Sequence, residues 1–292
     1  MPLDCTSSLL NLPAPAKVNR FLHIIGRRPD GYHLLESVFE FISLADTVSL
    51  RARSDGRIVR TGDMAEAADD LCVRAAKLLK EKTGCPQGVE ISVTKRIPSG
   101  AGLGGGSSDA ATTLIALNRL WGLGLHRSEL AAAGLALGAD VPFFIGGRNA
   151  FVEGIGEQLT PINPPEEWLA VIWPGIHSAT ASVFKDPDLT RNSPSMKIAD
   201  LSARLSAGRL GETGRNDLEP VVAKTCPPVA EALSHLSKFG RARMTGSGSA
   251  VFATANGERE ARQMLEGIPQ DWLGFAVRTL PSHPLSDWLD NI

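Results

Sequence analysis

The spacing of hydrophobic and polar positions divides the chain into strand-like and helix-like segments. We predict strands at Val18–Ile25, Ser37–Ile42, Thr47–Arg53, Val89–Thr94, Leu169–Trp173 and Ala250–Ala255, and helices at Asp69–Lys82, Ser108–Leu120, Ser128–Leu137, Val229–Ser237 and Glu258–Glu266. Apolar and polar residues alternate in Val89–Thr94, which is typical of a strand with one buried face. The helix from Ser108 carries one apolar face, formed by Ala111, Leu114, Ile115 and Leu117. Strands and helices therefore mix along the whole chain.

Proline, glycine and small polar residues mark the connections between these elements. Pro29-Asp-Gly31 is a turn signal that ends the first predicted strand. The segment Asp186–Ser195 is rich in Pro, Asp and Asn, which favours an exposed loop. The proline-rich stretch Pro161–Pro165 is the best candidate for a boundary between lobes. We therefore predict one domain over residues 1–160 and a second over residues 161–292.

Composition and charge narrow the class of protein. The 292 residues are 43% hydrophobic and 21% charged with a net charge of −2, which is ordinary for a globular protein. A basic stripe that would suit nucleic acid or a membrane surface is missing, so we expect a small-molecule partner. The apolar runs are shorter than the roughly 18 residues that span a bilayer.

The cysteines and the N-terminus indicate a reducing compartment. Cys5, Cys72, Cys85 and Cys226 are scattered and never form C-x-x-C, so neither a zinc site nor a disulfide framework is predicted. The first residues lack the basic and apolar regions of a signal peptide. We therefore expect free thiols and a cytoplasmic protein.

A glycine-rich loop joins the strand Val89–Thr94 to the helix predicted from Ser108. The loop consists of Pro98, Ser99, Gly100, Ala101, Gly102, Leu103, Gly104, Gly105, Gly106, Ser107 and Ser108. Glycine permits positive φ and a close approach of ligand to main chain, and the first N–H groups of a helix lack intrahelical partners. These properties predict a phosphate site, with Ser107 and Ser108 as helix caps or as ligands of phosphate or Mg²⁺. On the loop alone, a plain turn followed by an N-cap explains the pattern equally well.

Other phosphate loops fit this segment poorly. A Walker A loop requires a lysine after its glycines, and none follows here. Gly100, Gly102 and Gly105 match G-x-G-x-x-G, but a dinucleotide fold also carries an acidic residue about 20 positions later. Residues 117–128 contain no acid, and the His-Arg-Asp and Asp-Phe-Gly motifs of protein kinases are missing from the chain. A glycine and serine loop of another kind remains.

The pattern Pro-x-x-x-Gly-Leu-Gly-Gly-Gly-Ser-Ser resembles that of the GHMP kinase superfamily. Five further motifs occur in the order seen in one branch of it, namely Pro15-Ala-Lys-Val-Asn19, Arg28-Pro-Asp-Gly-Tyr-His33, Gly138-Ala-Asp-Val-Pro142, Phe184-Lys-Asp-Pro187 and Thr245-Gly-Ser-Gly248. The resemblance implies a two-lobed α+β fold. The N-terminal lobe would resemble the second domain of ribosomal protein S5, the C-terminal lobe would be ferredoxin-like, and the sites would lie between them.

The resemblance also implies ATP and Mg²⁺ as cofactors and phosphorylation of a hydroxyl group on a cytidyl sugar alcohol. Asp140 is the candidate that orients or deprotonates this hydroxyl, although its place before Val-Pro also suits a turn. Lys17 would keep the Asp140 carboxylate ionised and stabilise charge in the transition state. Lys95, just before the loop, is placed to reach the nucleotide, and an exposed strand-end lysine is the alternative. No side chain is assigned as a metal ligand.

Aromatic residues suggest how cytidine would be held. Tyr32, His33 and Phe184 are candidates, since an aromatic pair can stack on both faces of a pyrimidine. The His33 ring can also offer a donor and an acceptor to the base edge. Asn19 is a candidate for the sugar-alcohol part or the phosphates, and a turn asparagine is the simpler alternative.

A second glycine turn and one departure from the family pattern complete the sequence-based picture. Gly246 and Ser247 are predicted to approach the transferred phosphate, unless they form a plain hairpin turn. Asp70 stands where the family pattern leads us to expect an asparagine near adenine. Two alternative functions stay open: another GHMP kinase of the homoserine or mevalonate type, and a nucleotide-binding relative without catalysis. A monomer or a weak homodimer is expected.

Overall fold

Two β-sheets covered by helices form the protein in the computed structural model, which describes residues 8–63, 69–178, 180–208 and 210–290. Within these ranges the first sheet contains β1 (Ser8–Arg27), β2 (His33–Arg53), β3 (Ile58–Gly62), β4 (Gly88–Thr94), β5 (Ala150–Glu153) and β6 (Gln158–Pro161). Its order is β3-β4-β2-β5-β6, and β1 pairs with β2. The second sheet contains β7 (Trp168–Trp173), β8 (Arg243–Met244), β9 (Val251–Ala255) and β10 (Leu273–Arg278).

The helices pack against these sheets in chain order. They are α1 (Leu71–Thr83), α2 (Gly105–Leu120), α3 (Arg127–Leu135), α4 (Val141–Gly146), α5 (Thr180–Lys185), α6 (Ile198–Ser206), α7 (Glu219–Thr225), α8 (Pro227–Leu236), α9 (Glu258–Gln263) and α10 (Asp287–Asp290), with a 3₁₀ turn at Leu210–Glu212. Helix α2 lies among α1, α3, α4, β1 and β2. Thr112 and Thr113 are therefore buried together with Leu114 and Ile115, so α2 is covered nearly all round rather than on one face.

The second sheet is antiparallel with the order β10-β7-β9-β8. Numbered along the chain, these strands follow the 4-1-3-2 order of a ferredoxin-like sheet, and the α+β fold is confirmed. After β10 the chain returns to the first sheet, where the Leu280 N–H donates to the Phe41 carbonyl at 2.8 Å and Leu285 joins the core. The division between residues 160 and 161 stays a prediction.

The strand boundaries correct two expectations. Ser37–Ile42 and Thr47–Arg53 are parts of one continuous strand, and the strand predicted from Val18 already begins at Ser8. Asp46, which lies between the two predicted strands, is fully buried, and its carboxylate accepts the N–H groups of Arg96 and Ile97 at 2.5 and 2.8 Å. Because a buried carboxylate needs such partners, Asp46 fits inside β2 without breaking it.

The helix termini also differ from the predicted ones. Helix α2 begins at Gly105 rather than Ser108, because Gly104 takes a left-handed conformation with φ of 74° and serves as the N-cap. The serine hydroxyls therefore do not cap the helix. At α1 the Asp70 carboxylate accepts the N–H groups of Cys72 and Val73, so the helix begins at Leu71. Helix α3 ends at Leu135, two residues earlier than predicted.

Two further expectations concern cysteines and membranes. Cys72, Cys85 and Cys226 are free thiols, and Cys5 lies outside the described residues. Across the parts of the chain that the structure describes, no helix combines the length and the apolar character that a membrane crossing requires.

Candidate active site

A cavity of about 540 Å³ opens between the glycine loop and the second sheet. Of the candidate residues it is lined by Lys17, Asn19, Lys95, Pro98, Ser99, Gly100, Ala101, Gly102, Leu103, Gly104, Gly105, Gly106, Ser107, Asp140, Phe184, Gly246 and Ser247. Tyr32, His33 and Ser108 are not among its lining residues. The fold thus gathers most candidates from distant parts of the chain around one space.

The glycine loop is held from both sides through its main chain. The Lys17 N–H donates to the Leu103 carbonyl and the Ala250 N–H donates to the Ala101 carbonyl, both at 3.0 Å. Gly102 has φ of 76°, and a Cβ at this position would lie 2.2 Å from the Thr245 carbonyl oxygen. A side chain is therefore excluded where the glycine loop passes the Thr245 turn, and the sequence pattern has a physical cause.

The N-terminus of α2 faces the cavity. Gly105, Gly106 and Ser107 are its first residues and line the cavity, and such N–H groups lie at the positive end of the helix dipole. The neighbouring Ser108 is fully buried, and its hydroxyl donates to the Pro15 carbonyl at 2.7 Å. The geometry suits an anion at the first three residues, whereas the Ser108 hydroxyl is engaged with β1.

Lys17 and Asp140 form an ion pair on the wall of the cavity. The Lys17 Nζ lies 3.5 Å from Asp140 Oδ2, with the lysine side chain 4% exposed and the aspartate side chain 32% exposed. The ammonium also donates to Asn19 Oδ1 at 2.6 Å and sits 4.5 Å from the centre of the Phe39 ring. A buried ammonium is thus held by Asn19 and Phe39 beside a carboxylate that remains open to the cavity.

The position of Asp140 leaves its carboxylate available. It precedes α4, whose Pro142 occupies the first turn, and its side chain makes no capping hydrogen bond. The following residues Val141 and Phe143 are buried and anchor the helix in the core. The local sequence therefore forms the turn that Val-Pro suggests, and the turn presents the carboxylate to the cavity.

Asn19 links the two glycine turns. Its backbone N–H donates to Thr245 Oγ1 at 2.9 Å, and its side-chain Nδ2 donates to Ser37 Oγ at 2.9 Å. The Thr245 hydroxyl also lies 3.3 Å from the Gly102 carbonyl, and the next residues of that turn, Gly246 and Ser247, line the cavity. The second glycine turn thus lies against the glycine loop, and its predicted approach to the transferred phosphate stays a prediction.

Lys95 contacts two carboxylates, whereas Lys17 contacts one. Its ammonium donates to Asp46 and, at 2.7 Å, to Asp109 Oδ2. Burial lowers the pKa of Lys95, but the two carboxylates outweigh this effect and raise it. Burial and the neighbouring Asp46 charge raise the pKa of Asp109 against the opposing effect of Lys95. Because an ammonium has three donors, one N–H of Lys95 remains for another acceptor.

The predicted pyrimidine clamp differs from its expected form. Tyr32 lies in the turn before β2 and is 61% exposed, whereas the His33 ring lies 5.1 Å from the Phe184 ring. Arg191 Nε donates to His33 Nε2 at 3.2 Å. Burial, helped by the charges of Arg191 and Arg27, lowers the pKa of His33. The neutral ring therefore has Nδ1 left as a donor, and one of its two predicted base contacts is already used.

Asp70 stands at the far end of the same cavity. Its Oδ1 accepts the two N–H groups of the α1 cap, and its Oδ2 accepts from Arg60 Nε at 2.8 Å. Both oxygens are therefore engaged in holding α1 and β3 together. The acid that replaces the expected asparagine has a structural explanation that does not involve a base.

Three residues in or near the site were not predicted from the sequence, namely Asp46, His177 and Arg191, and of these His177 lines the cavity. Asp46 lies inside a strand, and a lone acid among apolar residues indicates a buried carboxylate that needs polar partners. The exposed His177 comes from the segment after β7, and its ring fills the space beside Gly100 so closely that a Cβ there would lie 1.8 Å from it. Arg191 lies in a loop whose composition indicates only exposure. These residues become recognisable through contacts between distant segments.

Comparisons with known proteins define the class. Family models of the GHMP kinases match residues 70–148 (N-terminal domain) and 198–273 (C-terminal domain). Together with the relatives described next, these matches show that the chain belongs to the GHMP kinase family. Membership of a kinase family implies ATP as the phosphate donor.

Its relatives point to one kind of kinase. The chain is 52% identical over 279 residues to the 4-diphosphocytidyl-2-C-methyl-D-erythritol kinase of Thiobacillus denitrificans, covering 95% of this chain and 98% of that protein. Its identity to the same-named protein of Methylibium petroleiphilum is 52% over 287 residues, or 96% and 98% of the two chains. A crystal structure of 4-(cytidine 5'-diphospho)-2C-methyl-D-erythritol kinase matches with a TM-score of 0.79 and 35% identity over 94% of this chain and 99% of that one.

A more distant structure shares the fold alone. The homoserine kinase of Cytophaga hutchinsonii matches with a TM-score of 0.71 over 97% of this chain and 98% of its own, at 17% identity. The two-lobed architecture is therefore common to kinases with different acceptors, and the acceptor must be argued from the cavity.

Proposed function

We propose that this protein transfers the γ-phosphate of ATP to the 2-hydroxyl of 4-diphosphocytidyl-2-C-methyl-D-erythritol, giving the 2-phosphate and ADP in the methylerythritol phosphate route to isoprenoid precursors. The observation that carries the proposal is the Lys17–Asp140 pair facing the glycine loop across one cavity. A phosphate held at the start of α2 and a hydroxyl held at Asp140 would meet in that space. The relatives with about 50% identity support this choice of acceptor.

The proposed transfer uses the pair in two complementary ways. The acceptor hydroxyl donates a hydrogen bond to Asp140 while its oxygen attacks the γ-phosphorus. A new P–O bond forms, the bond to the bridging oxygen of ADP breaks, and the hydroxyl proton passes to the Asp140 carboxylate. The Lys17 ammonium stabilises the charge on the phosphoryl oxygens, and the contribution of the enzyme is mainly alignment and electrostatics.

We propose that the glycine loop holds the ATP phosphates through the first N–H groups of α2. The third donor of Lys95 is available to the nucleotide, and Ser107 at the helix N-terminus can add its hydroxyl. The turn at Gly246 and Ser247 would close on the transferred phosphate. Its Ser247 Oγ lies 2.7 Å from Thr180 Oγ1 in α5, so the turn is tied to the segment that carries Phe184.

Mg²⁺ is expected to accompany ATP, and Asp109 fits it. Its Oδ1 is buried at the cavity without a hydrogen-bond partner, and Mg²⁺ usually takes one or two carboxylates with substrate phosphates and water. The described residues contain no group of three or more His, Cys, Asp or Glu side chains arranged for a metal. Bound there with ATP, the ion would neutralise charge on the phosphates.

The cytidine end of the acceptor would lie against Phe184 and His33. Phe184 lines the cavity, and the tilted His33 ring beside it offers Nδ1 as a donor. Homoserine and mevalonate have no base to occupy this position. Phe184 in the cavity wall, with the His33 ring packed beside it, therefore favours the cytidyl acceptor over the homoserine and mevalonate types.

A coupled assay of ADP release tests the proposal with four acceptors: the cytidyl compound, homoserine, mevalonate and galactose. Turnover with the cytidyl compound alone is expected.

The variant Phe184→Leu should raise the KM of the cytidyl compound by about 5-fold to 100-fold, since base stacking contributes about 1–3 kcal/mol, and should leave the KM of ATP unchanged. The matched control is Phe239→Leu, a 47% exposed phenylalanine outside the cavity lining. Turnover of another acceptor without the cytidyl compound would contradict the proposal.

A further inference from the structure

We propose that Ser37 is a positioning residue for phosphoryl transfer, which acts through the Asn19 amide to hold the Lys17 ammonium at Asp140. The inference rests on the proposed function of Lys17 and Asp140. Ser37 is fully buried in β2 and is not among the residues that line the cavity. Its effect on the reaction must therefore pass through its hydrogen bonds.

The position of Ser37 follows from an irregularity between β1 and β2. Asn19 pairs with Phe39 and Leu22 pairs with Ser37, so β1 has two residues where β2 has one. Such a bulge leaves a backbone group without its ladder partner. The Phe21 carbonyl lies in this bulge and accepts the Ser37 hydroxyl proton at 2.5 Å.

This bond determines the direction of the next one. A serine hydroxyl has a single proton, and Ser37 donates it to Phe21, so the hydroxyl oxygen can only accept from its other neighbour. That neighbour is Asn19 Nδ2 at 2.9 Å. The amide is thereby oriented with its NH₂ group toward Ser37 and its oxygen toward the cavity wall.

The oriented amide then fixes the lysine. Asn19 Oδ1 accepts from Lys17 Nζ at 2.6 Å, and the same ammonium lies 3.5 Å from Asp140 Oδ2. If the amide turned by half a rotation, its NH₂ group would face the ammonium and two donors would oppose each other. The Ser37 hydroxyl prevents this rotation, because the turned amide would also set its oxygen against a hydroxyl that has no proton left to give.

The experiment compares Ser37→Ala with the unaltered enzyme and with Ser37→Thr. Ser37→Ala should lower kcat by about 10-fold to 100-fold, the range expected for a small misplacement of a catalytic group, with the KM of ATP unchanged. Ser37→Thr keeps the hydroxyl and should recover most of kcat. The control Ser49→Ala removes another hydroxyl of β2, which accepts the Asn11 N–H at 2.9 Å away from the cavity, and should keep full kcat.

A double substitution separates positioning from a structural effect. Asn19→Ala alone should lower kcat at least as much as Ser37→Ala, and adding Ser37→Ala to it should lower kcat no further. Of the two hydrogen bonds of the Ser37 hydroxyl, only the one to Asn19 leads to the cavity, whereas the one to Phe21 ends at the main chain of β1. Additive losses in the double variant, or full kcat in Ser37→Ala, would overturn the proposal. If Ser37→Ala fails to fold, Ser37→Val replaces it, since valine matches the shape of threonine without the hydroxyl, and full kcat in that variant counts equally against the positioning role.

The assay is designed so that this inference and the proposed function can fail separately. All variants are measured with whichever acceptor the unaltered enzyme phosphorylates fastest. If that acceptor is not the cytidyl compound, the proposed substrate is wrong, and the Ser37 comparison still decides the positioning role. If the cytidyl compound is turned over and Ser37→Ala retains kcat, only the positioning role is lost.

Discussion

Two lysines line the same cavity, but their surroundings differ in charge and in burial. Lys17 faces a single carboxylate at 3.5 Å, and that carboxylate, Asp140, is about one-third exposed. Lys95 contacts two carboxylates at hydrogen-bond distance, and both Asp46 and Asp109 are nearly inaccessible. Removing the cation from the buried Lys95 cluster should therefore cost more stability than removing it beside the hydrated Asp140. The proton-accepting role proposed for Asp140 depends on its open carboxylate.

The largest effect expected from this comparison is that of Asp140→Asn. The variant should lower kcat by about 10²–10⁴-fold, the usual contribution of a positioned base, while ATP binds as before. Coupled ADP release measures kcat, and calorimetry measures the affinity for ATP. The matched control is Asp188→Asn, which also removes a carboxylate paired with a lysine, Lys224 at 2.6 Å, but outside the cavity lining. Full activity in Asp140→Asn would contradict the role of the open carboxylate.

The second test exchanges the two lysines for methionine and compares stability. Lys95→Met leaves the carboxylates of Asp46 and Asp109 without their cation, so the free energy of unfolding should fall by about 3–5 kcal/mol, as for a broken buried ion pair. Lys17→Met should cost less stability, because Asp140 remains hydrated, but it should abolish most turnover. Urea unfolding gives both stabilities. Equal losses of unfolding free energy in Lys95→Met and Lys17→Met would contradict the expected difference between the two lysine sites.

The smallest expected effect is the change in stability with pH that depends on Asp109. The folded-state pKa of this carboxyl is raised above its ordinary value of 3.8 by burial and by Asp46. Above pH 3.8 the Asp109 carboxyl therefore holds its proton more often in the folded chain than in the unfolded chain. Its contribution to stability falls as the pH rises from 3.8 through the raised pKa of the folded state. Between pH 4 and 8, the unaltered protein should lose at least about 1.4 kcal/mol more than Asp109→Asn, the equivalent of one pKa unit. Urea unfolding at both pH values measures this difference, and parallel losses would contradict it.

Sequence reasoning succeeded where the signal is local. The presence of a helix after the glycine loop, the N-terminal limit of α1 near Asp70 and the loop at 186–195 all depend on residues close together in the chain. The start of α2 at Gly105 and the burial of Leu189 and Ser193 within that loop were not predicted. The extent of β2 was wrong, because the two predicted strands are joined through the buried Asp46, whose partners Arg96 and Ile97 lie about 50 positions further along the chain. The α+β fold was predicted from the family motifs, and the structure confirms it.

The identities of the candidate site residues were predictable from the sequence, but their mutual contacts were less so. Lys17, Asn19 and Asp140 were named from motifs, and the structure brings them to one wall of the cavity. Of the three aromatic candidates, His33 packs on Phe184, whereas Tyr32 is exposed and its contact with the base stays a prediction. The assignments of these residues to substrate and nucleotide, the oligomeric state and the compartment stay predictions.

By itself the sequence determined the glycine loop, the helix that follows it and the identities of the candidate site residues. Local conformation decides these features, since glycine backbone freedom and free helix N–H groups belong to neighbouring residues. Only the tertiary structure decided which lysine faces an open carboxylate and which is enclosed by two. Lys95 and Asp46 are 49 positions apart, and desolvation at such contacts depends on how the layers pack. The glycine loop marks where phosphate can bind, and packing sets the chemistry beside it.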